Sequence, residues 1–182
     1  EVRFAGTSKG IESRLVPREG YPLDTIEITG LRRAFSPSAI GHNLNALRQA
    51  AASVGTAKKL LRRAKPDVVI GCGGYASFPV VSAAQKLGIP TVLLEVNAYP
   101  GITTKMLAKK ADKVLICFRG ARALVGGGDK VVLTGAPVRG EIVFADRQKA
   151  RAKLGLAPAD KLVVSFWGSM GAKYMNEHMA GM

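Results

Sequence analysis

The residues best suited to chemistry lie where short apolar segments run into glycine. Residues 66–79 read as a buried strand, then a glycine-rich turn, then a helix opened by Ser77 and Pro79. The first turn of a helix has N–H groups without intrahelical acceptors and is the positive end of the helix dipole. Glycines such as Gly73 and Gly74 let a phosphate approach those groups closely. The turn therefore predicts an anion site; the alternative is a tight strand-to-helix connection that binds nothing.

A second candidate site follows the apolar segment Thr91–Glu95. It puts a carboxylate, Glu95, and a carboxamide, Asn97, at the carboxyl end of a predicted strand, which is where ligands bind in open α/β sheets. Asn97 has the donors and acceptors to bind a sugar, and Glu95 could act as a base or bind hydroxyls. The alternative is an Asx-type turn in which Glu95 forms a structural salt bridge.

A third candidate site is Phe166–Ala172, which repeats the pattern of apolar segment, glycine turn and helix. Backbone N–H groups around Ser169 would suit a diphosphate. Trp167 is either a stacking surface or a core residue. Arg139 follows the segment Thr134–Val138 and could reach a phosphate from a hinge, or it is an ordinary solvated arginine.

The elements that must position these residues alternate along the chain. Most apolar segments are continuous, which is typical of parallel strands covered on both faces. The predicted strands are Val2–Ala5, Thr25–Ile28, Asp67–Gly71, Thr91–Glu95, Lys113–Cys117, Val131–Thr134 and Leu162–Phe166. The predicted helices are Ile11–Arg18, His42–Lys65 with a possible break at Gly55, Pro79–Leu87, Gly101–Ala111 and Asp146–Leu154. This order predicts an α/β fold with a doubly wound, mostly parallel sheet.

A domain boundary is predicted near Pro137–Glu141, where a strand ends and a segment rich in proline and glycine precedes the next helix. Residues 1–140 would form one domain, and residues 141–182 would begin a second. The abrupt start at Glu1 and the equally abrupt end suggest a piece of something longer. No apolar stretch approaches the ~20 residues of a membrane span.

The composition indicates a globular protein with an anionic partner. The 182 residues include 47% hydrophobic residues, and the net charge is +14. Such a charge favours binding to nucleic acid, an acidic membrane surface or phosphorylated metabolites. The two cysteines, Cys72 and Cys117, each end or follow an apolar segment and are predicted to be buried thiols at strand ends, without a metal or a disulfide.

Much of the positive charge clusters at the end of the long helical segment, in Lys58, Lys59, Arg62, Arg63 and Lys65. The apolar residues before the cluster are Phe35, Ile40, Leu44 and Leu47. An apolar stripe beside a basic cluster suits contact with an anionic membrane leaflet. The alternative is a stripe that faces the core and a basic face that is merely solvated. Nucleic acid is not expected, because no aromatic residues are interleaved with the basic ones.

Taken together, these motifs resemble the MurG family of N-acetylglucosaminyltransferases, inverting enzymes with two Rossmann-like domains in the GT-B arrangement. The resemblance covers nearly the whole chain. Its clearest motifs are Pro66–Tyr75, read PDVVIGCGGY, and Gly88–Thr91, read GIPT. Weaker ones are Phe4–Pro17, Gly30–Arg33, Leu154–Leu156 and Gly168–Ala172.

The chain also departs from the family pattern. The first glycine loop of the family, with its proposed catalytic histidine, would precede Glu1. The usual HEQN reads Leu94–Asn97, GNPVR reads Gly135–Arg139, and GGSQGA reads Trp167–Ala172. Most of the donor domain would lie beyond Met182. The chain therefore resembles a truncated or divergent member, which we expect to be inactive alone.

The resemblance implies a role for each matching residue. Gly73, Gly74 and Tyr75 would bind the pyrophosphate of the acceptor. The donor, UDP-N-acetylglucosamine, would contact Asn97, Arg139 and Ser169, and Glu95 is a weak catalytic candidate.

The implied reaction transfers N-acetylglucosamine to undecaprenyl-pyrophosphoryl-N-acetylmuramyl-pentapeptide (lipid I) to give lipid II. It would take place at the cytoplasmic face of the bacterial plasma membrane, with no cofactor or metal required. The membrane contacts would be Phe35, Ile40, Leu44, Leu47, Lys58, Lys59, Arg62 and Arg63. Two alternatives stay open: another GT-B glycolipid glycosyltransferase, and a non-catalytic basic module that binds anionic lipid or nucleic acid.

Overall fold

The computed structural model describes residues 1–28, 52–165 and 173–181. The chain divides into two compact units, Glu1–Ala136 and Pro137–Met182. The predictions that fall on residues 29–51 and 166–172 lie outside the described residues. They include the first part of the predicted helix His42–Lys65 and the whole glycine turn Gly168–Ala172.

The first unit contains all the strands found among the described residues. These are β1 Phe4–Gly6, β2 Leu23–Thr25, β3 Val69–Gly71, β4 Thr91–Glu95, β5 Lys113–Ile116 and β6 Val131–Leu133. Strands β3 to β6 form a four-stranded sheet in chain order, and β1 pairs with β2. Every pair is parallel. The predicted α/β class with a parallel sheet is therefore confirmed.

Helices connect the strands, as parallel pairing requires. In the first unit they are α1 Glu12–Arg18, α2 over 52–64, α3 Ser77–Leu87, α4 Ile102–Ala108 and α5 Ala121–Leu124. The second unit holds α6 Gly140–Val143, α7 Arg147–Lys153 and α8 Lys173–Ala180. Helix α3 ends at Gly88, whose φ of 70° is the left-handed conformation that glycine adopts without strain.

The core of the first unit forms where helices pack on the four-stranded sheet. Strand β4 alternates, with Thr91, Leu93 and Glu95 buried and the residues between them half-buried. The other buried apolar residues of the core come from helices and neighbouring strands, among them Val54, Ala57, Leu61, Val81, Ala84, Leu107, Val114, Ile116 and Val131. The expectation that the strands are covered on both faces is wrong for β3, because Ile70 is 58% exposed.

Several predicted strands differ from the structure by one or two residues at an end, and two predictions differ more. The predicted strand Thr25–Ile28 lies two to three residues too late, because its partner β1 has only three residues and sets where pairing can occur. The predicted strand Leu162–Phe166 is absent over its described part, 162–165. There Val163 and Val164 are 81% and 67% exposed, and the described residues of the second unit offer no strand to pair with.

The helix predictions differ mainly at the ends. Helix α2 continues through Gly55 without the suggested break. Helix α4 is shorter than predicted, with Gly101 as its N-cap. Helix α7 begins after Asp146, whose side chain accepts a 2.8 Å hydrogen bond from Lys149 N. The four-residue helices α5 and α6 were not predicted, because a single turn leaves too short a periodic pattern to detect.

Candidate functional site

The glycine turn lies between β3 and α3, at the carboxyl edge of the four-stranded sheet. Gly73 and Gly74 have φ values of 86° and 71°, so both adopt the left-handed conformation that favours glycine. Nothing lies within 4 Å of the Cβ position at either residue, so the space beside the turn is open. Tyr75 is 48% exposed. The turn thus combines an open backbone with an exposed aromatic side chain.

Helix α3 begins at Ser77, two residues earlier than predicted. Ala76 is its N-cap, and no side chain caps the first turn. The Ser77 hydroxyl donates to Gly74 O at 3.0 Å, which ties the first residue of the helix to the turn. Pro79, which has no N–H to satisfy, is buried. An anion at this point would therefore meet no competing side-chain cap.

Close packing at Gly71 fixes the start of the turn. A Cβ on Gly71 would lie 2.8 Å from Val81 Cγ2 and 2.9 Å from Leu93 Cδ2. A larger residue at position 71 would clash with a side chain of α3 and one of β4, so glycine is what allows these elements to pack this closely. Because Gly71 pairs with Leu93, the turn after β3 and the loop after β4 leave the sheet side by side. The first two candidate sites of the sequence thus share one edge.

Glu95 ends β4 and is 3% exposed. Its Oε1 accepts hydrogen bonds from Asn97 N at 2.9 Å and from Asn97 Nδ2 at 2.8 Å. Its Oε2 accepts from Gly101 N at 3.3 Å, and the Thr104 hydroxyl bonds the same carboxylate. The loop 96–101 is therefore closed around a buried carboxylate.

Two opposing effects act on the pKa of Glu95. Burial, the largest, disfavours the charged form and on its own would raise the pKa. The hydrogen bonds from Thr104, Asn97 and Gly101 favour the carboxylate, and together they hold the pKa below its usual value. Glu95 is therefore ionised at neutral pH. These hydrogen bonds differ from the suggested Asx-type turn, because the side chain that accepts the N–H two residues further on is that of Glu95 and not of Asn97. The partners of Glu95 here are N–H and O–H groups and not the cation of a salt bridge.

The exposed side chains of the β4–α4 loop were not singled out by the sequence analysis. Tyr99 is 70% exposed, and Lys105 Nζ lies 4.1 Å from the centre of its ring, a cation–π contact. Ile102 and Met106 of α4 are also exposed, as is Phe118 after β5. The signal that could have identified Tyr99 is an aromatic residue in the loop that follows a predicted strand. These residues give the carboxyl edge an apolar and basic rim.

The remaining predicted site residues lie in the second unit or outside the described residues. Arg139 is exposed and is the N-cap residue of α6 in the second unit. Ser169 and Trp167 lie outside the described residues. The structure therefore brings together Gly73, Gly74 and Tyr75 with the loop of Glu95 and Asn97.

The predicted membrane contact is described only in part. Lys59, Arg62, Arg63 and Lys65 are exposed and Lys58 is half-buried, whereas Val54, Ala57 and Leu61 of the same helix are in the core. Over its described residues α2 thus has a core-facing apolar stripe and a solvated basic face. Arg63 forms a 3.1 Å ion pair with Asp24. The apolar residues proposed to touch the membrane, Phe35, Ile40, Leu44 and Leu47, lie outside the described residues.

The prediction of two buried cysteines is wrong. Both thiols are free; Cys72 is exposed and Cys117 is half-buried. Each residue follows the last residue of its strand, where the backbone leaves the covered part of the sheet. The surroundings of Cys72 still desolvate the thiol, which raises its pKa.

Comparison with known proteins identifies the family. The profile of the glycosyltransferase family 28 N-terminal domain matches residues 1–116. The chain belongs to this family. Its fold also matches a crystal structure of MurG from Acinetobacter baumannii, with a TM-score of 0.60 and 27% identity over 76% of this chain and 37% of that chain.

Two curated relatives are named for the same enzyme activity. Those from Ruminiclostridium cellulolyticum and Halalkalibacterium halodurans are 43% and 44% identical, over 100% and 97% of this chain. Both are named UDP-N-acetylglucosamine–N-acetylmuramyl-(pentapeptide) pyrophosphoryl-undecaprenol N-acetylglucosamine transferase. The chain spans about half of their length, 49% and 47%. Among the residues that the structure describes, no helix has both the length and the apolar character needed to cross a bilayer.

Proposed function

We propose that this chain is the acceptor-binding part of an inverting glycosyltransferase that moves N-acetylglucosamine from UDP-N-acetylglucosamine to lipid I. One observation carries the proposal: in a member of this family, the open glycine turn after β3 and the polar loop after β4 leave the sheet side by side. The names of the relatives, which match along the whole chain, give the two substrates.

The pyrophosphate of the acceptor would bind at Gly73, Gly74 and Tyr75. No side chain caps the first turn of α3, which presents the positive end of the helix dipole, and the glycines leave room for phosphate oxygens. Within that turn Phe78 N already donates to Tyr75 O at 3.3 Å and Pro79 has no N–H, so the dipole and the amides of the glycine turn would carry the recognition. Tyr75, half exposed, would add an aromatic contact and a hydroxyl. No metal is needed for this kind of recognition, because the charge is met by backbone groups.

The transfer itself would be a single displacement. A sugar hydroxyl of the acceptor attacks the anomeric carbon of the donor, the bond to UDP breaks, and the hydroxyl proton passes to a base. Backbone N–H groups would stabilise the charge that develops on the departing diphosphate. Asn97, Arg139 and Ser169 would contact the donor or its phosphates, and residues 141–182 would begin the donor domain.

The activity is tested in the full-length form, that is, this chain extended to the length of its relatives. We expect transfer from UDP-N-acetylglucosamine to lipid I by that form and none by residues 1–182 alone. Tyr75→Ala and Asn97→Ala should each lower kcat/KM by roughly tenfold or more, the loss of a hydrogen bond that strengthens in the transition state. Tyr21→Ala is the matched control, because Tyr21 has a similar exposure (45%) and lies two residues before β2.

Two results would count against this proposal. Transfer that survives both Tyr75→Ala and Asn97→Ala would remove the site from the reaction. A full-length enzyme that uses another lipid-linked acceptor and rejects lipid I would favour a different glycolipid glycosyltransferase of the same architecture.

The membrane contact is a separate part of the proposal. The exposed cations Lys59, Arg62 and Arg63, with Lys58, would bind anionic lipid beside Phe35, Ile40, Leu44 and Leu47. Sedimentation with anionic vesicles should retain the chain, and changing those four cations to alanine should weaken retention. The control changes four exposed lysines elsewhere, Lys86, Lys109, Lys110 and Lys113, with the same loss of charge. Equal retention by neutral vesicles, or equal loss in both variants, argues against this contact.

A further inference from the structure

We propose that Glu95 is a positioning residue, which holds the carboxamide of Asn97 and the loop 96–101 in the shape that meets the ligand, and is not the base of the transfer. This inference rests on the proposed function for its ligand. It goes further by assigning the Glu95 carboxylate, at the edge that the two loops share, a role that excludes proton transfer.

The geometry argues against a base. A general base needs a lone pair within reach of the proton that it removes. Both oxygens of Glu95 already accept hydrogen bonds, and the residue is 3% exposed. The hydrogen bonds also keep its pKa below the usual value, which makes the carboxylate a weaker proton acceptor near neutral pH. Because Glu95 is buried and both of its carboxylate oxygens already accept hydrogen bonds, it is poorly placed to take a proton from the acceptor.

The same contacts suit a positioning role. Oε1 holds Asn97 by two groups, the backbone N and the side-chain Nδ2, so the carboxamide has one preferred orientation. Asn97 itself is exposed, which leaves the rest of its carboxamide open to a ligand. Oε2 holds Gly101, the residue that caps α4, so the two ends of the loop are tied to one side chain.

A second loop of the first unit is tied in the same way. After β1, Glu12 Oε1 accepts from Thr7 N and from Thr7 Oγ1, both at 2.8 Å. The side chain of Glu12 fills the space in which Gly10 and Gly6 would carry a Cβ, 2.0 and 2.6 Å from its atoms. Here too a glutamate accepts an N–H and a side-chain group of the same residue just after a strand. Loop closure by a glutamate therefore recurs in this fold.

The first test measures amide hydrogen exchange in the 182-residue chain and its Glu95→Gln variant. Loss of the carboxylate should speed exchange at Asn97 and Gly101 by about tenfold or more, since hydrogen bonds to a charged group are the strong ones. The matched control is Asp112→Asn. Asp112 accepts from Thr91 N at 2.7 Å and Thr91 Oγ1 at 3.1 Å, at the other end of β4. Its loss should speed exchange at Thr91 and leave Asn97 unchanged.

Thr104→Val provides a second variant if Glu95→Gln does not fold. It removes one donor to Glu95 without changing charge or volume greatly, and it should speed exchange at Gly101 by a smaller factor. Exchange at Asn97 and Gly101 that is the same in every folded variant would overturn the positioning role.

The second test is a double-mutant cycle in the full-length form. If Glu95 acts through Asn97, Glu95→Gln should lower kcat/KM no more than Asn97→Ala does, and the double variant should match Asn97→Ala alone. The acidic limb of the pH profile should be the same in Glu95→Gln as in the unchanged enzyme. Additive losses would mean that Glu95 does not act through Asn97, and an acidic limb that disappears in Glu95→Gln would mean that Glu95 is the base; either result overturns the positioning role.

The two tests separate this inference from the proposed function. A full-length form without transfer to lipid I would defeat the proposed function. The exchange rates of Asn97 and Gly101 would then decide the positioning role on their own.

Discussion

Gly71→Ala tests the packing that sets the glycine turn in place. The new Cβ would lie 2.8 Å from Val81 Cγ2 and 2.9 Å from Leu93 Cδ2. Val81 and Leu93 are 1% and 2% exposed, so neither side chain has solvent to move into. Adding a carbon to a packed core costs about 1–3 kcal/mol, and two contacts below 3.0 Å put this change in the upper part of that range, about 2–3 kcal/mol. The lower entropy of an unfolded chain with alanine returns about 0.5–1 kcal/mol, so the net loss of unfolding free energy is about 1–2.5 kcal/mol.

Urea unfolding of the chain, followed by circular dichroism, measures this loss. With a slope of about 1–3 kcal/mol per molar, the midpoint should fall by roughly 0.5–1 M. The matched control is Gly55→Ala in α2, where nothing lies within 4 Å of the Cβ position and φ is not left-handed. That variant should gain about 0.5–1 kcal/mol, because glycine is a poor helix former. A midpoint for Gly71→Ala equal to or above that of the unchanged chain would refute the packing argument.

Three further predictions concern local features. Gly73→Ala should lose about 1–2 kcal/mol in the same urea experiment, because φ is 86° there although the space is open. Asp146→Ala should weaken α7 by about 1 kcal/mol by removing the cap on Lys149 N, seen as faster amide exchange in the first turn of that helix. Hydrogen bonds to their carboxylates lower the pKa values of Glu12 and Glu95 in the folded chain, so the unfolded chain binds their protons first as the pH falls. Stability should be retained above about pH 4.5 and fall as the pH drops through the folded pKa values; unfolding in urea from pH 7 to pH 3 should show a smaller fall in Glu95→Gln.

The sequence predicts a strand correctly where a continuous apolar segment has a clear boundary at each end. Strand β4 was predicted at its observed bounds, Thr91–Glu95, because its five residues form a continuous segment between Pro90 and the polar loop. For β2 the local signal is weak, and its place is set by the three residues of β1 with which it pairs. The described residues 162–165 show the opposite limit, a strand-like sequence that has no partner to pair with. Pairing is a non-local property that apolar content alone does not encode.

Some features of the candidate site were likewise predicted from local sequence, and others depend on contacts between distant residues. The glycine turn after β3 and the polar loop after β4 were both found from residue types next to strand ends. The role of Glu95 was not, because it depends on Gly101 and Thr104, which approach its carboxylate only after α4 has packed. Tyr99 and Lys105 were missed for a similar reason, since their contact forms across one turn of the loop and helix.

A titration of the isotope-labelled chain with a short-chain polyprenyl diphosphate tests most directly whether the turn after β3 binds the pyrophosphate of the acceptor. The backbone amide signals of Gly73, Gly74 and Tyr75 should shift first and saturate together, and Gly73→Ala should weaken binding. The corresponding monophosphate should bind less tightly, because it carries less charge to the first turn of α3. Saturable shifts confined to other residues, or no saturable shift at the turn, would contradict the assignment.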